Sequence, residues 1–132
     1  MIVYLDTSAA LKLLAAEGES EPLAAALTAL DPADVLLSSR LLFTELHCAA
    51  QRRSVWDVTA VNAVLEMITL ADVTREDLDR AATSGWGLRS ADAIHLATAL
   101  RMQSEVLAAY DRELCAAGES AGLRLLRPGA TA

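Results

Sequence analysis

The stretch Ile2-Val3-Tyr4-Leu5-Asp6-Thr7-Ser8 narrows most what this chain can fold into. Four apolar residues run straight into an acid, and a helix-forming stretch from Ala9 to Leu14 follows at once. A continuous apolar run closed by a polar turn describes a strand buried on both faces, and a helix directly behind it opens a βαβ unit in a parallel sheet. Asp6 then falls at the carboxyl end of a central strand, the edge where open α/β sheets bind ligands. Asp6, Thr7 or Ser8 can equally cap the helix, because each accepts bonds from its orphan amides. Acids at matching positions further on decide between the two.

The theme returns at Glu105–Asp111, an apolar strand ending in an acid, followed by a short helix to Ala117 that Gly118 closes and a last strand over Gly122–Leu126. Between these ends, strands and helices alternate. Glu17–Pro22 is a break, with Pro suited to the first turn of a helix over Pro22–Leu30. Asp31–Asp34 is a turn, Val35–Ser38 a second buried strand, and Arg40–Arg53 a long amphipathic helix. Trp56–Met67 reads as another helix and Ile68–Val73 as a third strand. Thr74 with Asp77 three residues on forms a capping-box pattern. After the loop Trp86–Ser90, Ser90–Leu100 reads as a strong helix with Ser90 as N-cap and Asp92 in its first turn, where the helix dipole favours an anion. The expected fold is α/β, with one domain over residues 1–128 and a frayed tail at 129–132.

A chain of 132 residues can bury a sufficient core without disulfides or a structural metal. Cys48 and Cys115 lie far apart with no Cys-x-x-Cys spacing, and are expected to be small buried apolar residues in a reducing compartment. Only Tyr4, Phe43, Trp56, Trp86 and Tyr110 are aromatic, too few and too scattered for a surface that stacks single-stranded bases. The start lacks a basic segment followed by a long apolar one, and no apolar run spans a bilayer, which points to the cytoplasm. The net charge of −7 speaks against nucleic acid, but setting four clustered acids aside from the 18 leaves 14 against 11 basic residues, or −3.

Two further acids fall on helices. Glu45 sits among Leu41, Cys48 and Ala49 on the amphipathic helix, either with its head in water at the edge of the buried face or aimed into a cleft beside the sheet. Asp92 has the dipole explanation already given. His95 stands one turn later, but a single His on an Ala/Leu helix is ordinarily a packed, hydrogen-bonded residue, and it is left outside the catalytic set. If Asp6, Glu45, Asp92 and Asp111 converge, they repel one another unless cations sit among them. Hard oxygen donors without His or Cys suit Mg²⁺ or Mn²⁺, ions that promote phosphodiester hydrolysis.

Leu5-Asp6-Thr7-Ser8-Ala9, Thr44-Glu45-Leu46, the run Ser90–Ala97 and Tyr110-Asp111-Arg112-Glu113-Leu114 resemble the signature segments of PIN-domain proteins, in particular VapC toxins of bacterial toxin–antitoxin pairs. The resemblance spans essentially the whole chain in the right order. It implies a three-layer α/β/α fold with a central parallel sheet and a Mg²⁺- or Mn²⁺-dependent endoribonuclease. It implies metal ligation by Asp6, Asp92, Glu45 and Asp111, and a hydroxyl at Thr7 or Ser8 that helps hold water or phosphate. Many relatives carry Thr or Ser two residues before the last acid, where this chain has Ala109, so a supporting bond near Asp111 is missing. A homodimer and a cognate VapB-like antitoxin, with an Arg near the acids, are implied as partners. Lys12, Arg40, Arg52, Arg53, Arg89 and Arg112 are candidates to meet the phosphates of RNA.

Two other readings stay open. A non-catalytic module of the same fold would only sequester RNA or a partner. A phosphoaspartyl protein would use Asp6 as acceptor or nucleophile, but Lys12 is the only lysine and Ser8 breaks the Asp-x-Asp pattern of aspartate-nucleophile phosphatases.

Overall fold

The computed structural model describes residues 1–54 and 57–130. Strand β1 (Ile2–Leu5) leads into α1 (Thr7–Lys12) and α2 (Ser20–Thr28), and β2 (Val35–Ser39) into α3 (Arg40–Arg53) and α4 (Val58–Glu66). Strand β3 (Thr69–Ala71) is followed by α5 (Arg75–Thr83) and α6 (Ser90–Arg101), and β4 (Val106–Ala108) by α7 (Arg112–Ser120) and β5 (Arg124–Leu126).

The strands pair in parallel in the order β3-β2-β1-β4-β5. The chain therefore moves outward from β1 on one side and returns on the other side with β4. Strand order reverses at β1, and the crevice outside the carboxyl ends of β1 and β4 is the place where such a sheet binds ligands.

Side chains alternate across each strand, which sorts the core into two layers. Val3, Leu5, Val106 and Ala108 face Ala10, Leu23, Leu46, Val61 and Leu65 from α1 to α4. Tyr4, Leu37 and Leu107 face Leu96 of α6 and Leu114 of α7. The result is the expected α/β/α sandwich. Leu5, Leu46, Leu96 and Leu107 are fully buried, each removing enough apolar surface from water to contribute about 1.5–3 kcal/mol before entropy is counted.

The last turn of α6 is held by α5. Asp77 closes a capping box with Thr74 and accepts hydrogen bonds from Arg101 Nε at 2.8 Å and Nη2 at 3.0 Å, and from Thr98 Oγ1 at 3.2 Å. The Asp77 carboxylate is buried against the pull of ionisation, but the Arg101 guanidinium and the Thr74 amide outweigh that cost and hold its pKa below the usual carboxylate range.

Several expectations are corrected. Gly118 does not end the last helix but lies inside α7, where a Cβ would stand 2.6 Å from Leu107 Cδ2 and that methyl would have to shift. Ser90 is the first helical residue of α6, not its cap; Arg89 takes the N-cap position and makes no side-chain cap bond. Strand β4 stops at Ala108, so Asp111 ends a loop and caps α7. Cys48 is exposed and only Cys115 is buried, since Leu42, Leu46 and Ala50 form the inner stripe of α3. Trp56, expected to open the fourth helix, and residues 131 and 132 of the expected tail lie outside the described residues; α4 is capped by Asp57, whose side chain accepts from the Ala60 amide at 2.6 Å.

Candidate active site at the carboxyl edge of the sheet

Asp6 directly follows β1, and its amide donates to Ala108 O at 2.9 Å, extending the β1–β4 pairing by one rung. Its two carboxylate oxygens divide the two readings open at the sequence level. Oδ2 caps α1, accepting from the Ser8 amide at 3.1 Å and from Ser8 Oγ at 2.7 Å. Oδ1 is buried and has no hydrogen-bond partner. A buried carboxylate oxygen left unpaired is costly and asks for a reason. Ser8 Oγ also accepts from the Tyr110 amide at 2.9 Å, which ties the first acid to the loop that carries Asp111.

Glu45 leans from α3 toward the same edge, half-buried. Its Oε1 accepts from Thr7 Oγ1 at 2.7 Å and from His95 Nε2 at 2.6 Å. His95 Nδ1 lies 2.7 Å from the hydroxyl of Tyr4, and Nε2 lies 3.1 Å from Thr7 Oγ1 and 4.0 Å from Asp6 Oδ1. Burial opposes charge on His95, but the bond to Glu45 and the nearby charges of Asp6, Glu45 and Asp92 raise its pKa. Burial likewise opposes charge on Glu45, and the His95 bond and charge together with Thr7 bring its pKa down instead. The pair therefore favours imidazolium beside carboxylate.

Asp92 projects from the first turn of α6. Burial and then the carboxylates of Asp6 and Asp111 push its pKa up to about 6, against a smaller opposing pull from His95. Asp111 is exposed and caps α7 through Oδ1, which accepts from the Leu114 amide at 2.9 Å. Asp92 and Asp111 share a cleft of about 480 Å³ with Arg89, Tyr110, Arg112 and Glu113.

Asp6, Glu45, Asp92 and Asp111 thus come from four separated segments to one edge of the sheet. Thr7 and Ser8 stand with them, each donating its hydroxyl to an acid. Among the described residues no three of these groups are close enough to hold an ion as they stand. The donor set is nevertheless of the right kind for a hard divalent cation, with Asp6 Oδ1 already stripped of partners.

The residue left aside at the sequence level is His95. It is 0 % exposed and joins Tyr4, Thr7 and Glu45. A signal was present, since a largely apolar helix face that buries an imidazole ring three residues after an acid must supply that ring with a partner. Lys12 is spent elsewhere, bonded to Glu17 and Glu19, so no lysine attends Asp6 as a phosphoaspartyl site requires. Ala109 is fully buried, and its carbonyl accepts from Cys115 Sγ at 3.4 Å.

Comparison with known proteins adds independent findings. The family model of the PIN domain matches residues 3–120. Ribonuclease VapC35 of Mycobacterium tuberculosis is 36% identical over 135 residues, covering 97% of this chain and 98% of that protein. Among solved structures, VapC20 of M. tuberculosis, described as a sarcin–ricin loop cleaving toxin, superposes with a TM-score of 0.75 at 18% identity over 96% of this chain and 99% of its own. A toxin–antitoxin complex from Klebsiella pneumoniae gives a TM-score of 0.65 at 19% identity, over 83% of this chain and 86% of its own.

Proposed function

Since the chain belongs to the PIN-domain family, in its VapC-type branch, we propose that it is an endoribonuclease that hydrolyses RNA phosphodiester bonds as the toxin of a toxin–antitoxin pair. The observation that carries this reading is electrostatic. Asp92 has its pKa pushed up to about 6 by burial and by Asp6 and Asp111, so the carboxylates stand in one another's field at the ligand edge of the sheet. Charged groups that destabilise one another in a cleft mark sites kept for function.

Asp6, Asp92, Glu45 and Asp111 are the residues that would hold Mg²⁺ or Mn²⁺. When bound, such an ion polarises a phosphoryl group and makes water a better nucleophile. The protein's own contribution is orientation. Ser8 fixes Asp6, and Thr7 and His95 fix Glu45 by one carboxylate oxygen, leaving the other free for the site. Asp92 gives up its proton above about pH 6 and is then a full acceptor.

The partner follows from the same family. A VapB-like antitoxin would cover the cleft, an Arg pairing with the acids, and the toxin would act as a homodimer in the cytoplasm. The test is direct. Purified protein free of antitoxin cuts RNA with Mg²⁺ or Mn²⁺, and EDTA or Asp6→Asn abolishes cutting. Undiminished cutting by the Asp6→Asn, Asp92→Asn double variant refutes the site, and RNA binding without any cutting assigns the protein to the non-catalytic reading.

A further inference from the structure

We infer that Arg89 and Arg112 are the substrate-gripping residues of this site, holding phosphates of single-stranded RNA across the cleft that contains Asp92 and Asp111. The inference rests on the ribonuclease reading and specifies which side of the cleft receives the strand.

The basic residues of the chain are not equivalent. Lys12 is bonded to Glu17 and Glu19, Arg101 to Asp77, and Arg75 lies 4.0 Å from Asp79. Arg40 lies over the Phe43 ring and Arg80 over the Trp86 ring. Arg124 reaches Met1 Sδ and Arg127 the Tyr110 carbonyl. Among the basic side chains of the described residues, only those of Arg52, Arg89 and Arg112 make no hydrogen bond, ion pair or ring contact. Two of these three line the 480 Å³ cleft, in a chain whose net charge is −7.

Both are exposed, and both share that cleft with Asp92, Asp111 and Glu113 without pairing to any of them. An unpaired guanidinium presents a planar set of donors that fits phosphate oxygens two at a time. Their positions follow from the fold. Arg89 immediately precedes α6, whose first turn carries Asp92, and Arg112 immediately follows Asp111, which caps α7. Asp92 and Asp111 thus each have an unpaired arginine fixed at the same helix start. A strand crossing between the two helix starts passes the acids with a cation on each side, which offsets the repulsion that an acidic site exerts on a polyanion.

The neighbouring cleft, about 270 Å³, shares Tyr110 and Asp111 with the first and is lined by Lys12 and Arg53. Its lysine is already engaged by two glutamates. The grip is therefore one-sided, on the α6 and α7 starts.

The experiment uses the full chain carrying Asp6→Asn to prevent cutting, Mg²⁺, and a fluorescein-labelled single-stranded RNA of mixed sequence about twelve nucleotides long. Arg89→Ala and Arg112→Ala are each expected to weaken binding about tenfold at 100 mM NaCl, and each to lower the slope of log K against log salt by about 0.7. Lysine at either position restores most of the slope but not the full affinity, because the charge returns without the planar fork. Arg124→Ala, at the opposite end of the sheet, serves as the control for loss of a surface charge. In the cutting-competent protein the two variants raise KM more than they lower kcat.

Binding by the Arg89→Ala, Arg112→Ala double variant within twofold of its parent overturns the inference, as does an equal loss from Arg124→Ala. Arginines that serve an acidic protein segment instead would leave RNA affinity and salt slope untouched. If the wild type cuts RNA and the double variant cuts it equally well, the grip falls and the ribonuclease reading stands. If the wild type neither binds nor cuts RNA, both fall.

Discussion

Replacing Asp92 by Asn should make the metal-free protein more stable while abolishing its activity. The pKa of Asp92 is about 6 in the folded chain against an ordinary 3.8, a rise of roughly 2 units. At about 1.4 kcal/mol per unit, a wholly buried group would lose about 3 kcal/mol of stability by ionising. Asp92 is only half-buried, so solvent screening reduces the figure to about 1 kcal/mol. For a chain of this size that is about 4 °C in Tm. The sign follows from proton linkage. Between pH 3.8 and 6 the folded state holds more protons on Asp92 than the unfolded state, so stability falls as pH rises through that window and the full cost is present above it. Asparagine carries no charge to penalise. Thermal melts in EDTA at low salt should therefore put Asp92→Asn above wild type at pH 8, above it by about half that margin at pH 5, and level with it near pH 3.5. Adding Mg²⁺ should raise the wild-type Tm more than the variant's. An Asn variant that melts at or below wild type at pH 8, or above it by the same margin at pH 5, refutes the idea that this acid is held at a cost by its neighbours.

Other perturbations follow from the same contacts. His95→Leu removes the donor to Glu45 and the partner of the Tyr4 hydroxyl; it should cost about 2 kcal/mol in urea unfolding and reduce RNA cleavage. His95→Gln, which keeps a donor toward Glu45, should recover part of both. Asp77→Ala breaks a capping box and two charge-assisted bonds from Arg101, a loss of about 3 kcal/mol at pH 7. Because the pKa of Asp77 is lowered on folding, its contribution is present above about pH 4, and the gap between wild type and variant should close as pH falls through the folded value. Gly118→Ala sets about 1 kcal/mol of gained helix propensity against overpacking of about 1–3 kcal/mol at Leu107, so chemical denaturation should show a net loss; a more stable variant would mean that Leu107 yields freely.

Much of the site was legible in the chain because its geometry is local. An acid placed after a buried strand stands at the sheet edge whatever else happens, and Asp6 does so. Asp92 in a first turn is likewise settled by helix periodicity. Glu45 was harder, since an acid on a half-apolar face serves equally well at a rim or in a cleft until the facing element is known. The facing element is α6, and its His95 is the donor that settles the orientation of Glu45. Cys48 and Ser90 misled for a related reason. A one-residue shift in the buried stripe of α3 moves Cys48 to water, and a one-residue shift in the start of α6 gives the cap position to Arg89. Periodicity locates an element well and its phase poorly.

The sequence alone determined the alternation of strands and helices, the two-faced burial of β1, and the presence of three acids, Asp6, Asp92 and Asp111, at element ends, because each depends on interactions between residues a few positions apart. The tertiary structure decided which acids share a field, which oxygen of Asp6 is left without a partner, and which two arginines stay unpaired beside them. Those properties depend on pairings such as Thr7 with Glu45, Tyr4 with His95 and Ser8 with the Tyr110 amide, which span 38, 91 and 102 residues. Contacts at such separations exist only once the parallel sheet has brought β1, β2 and β4 side by side, and no local preference encodes them.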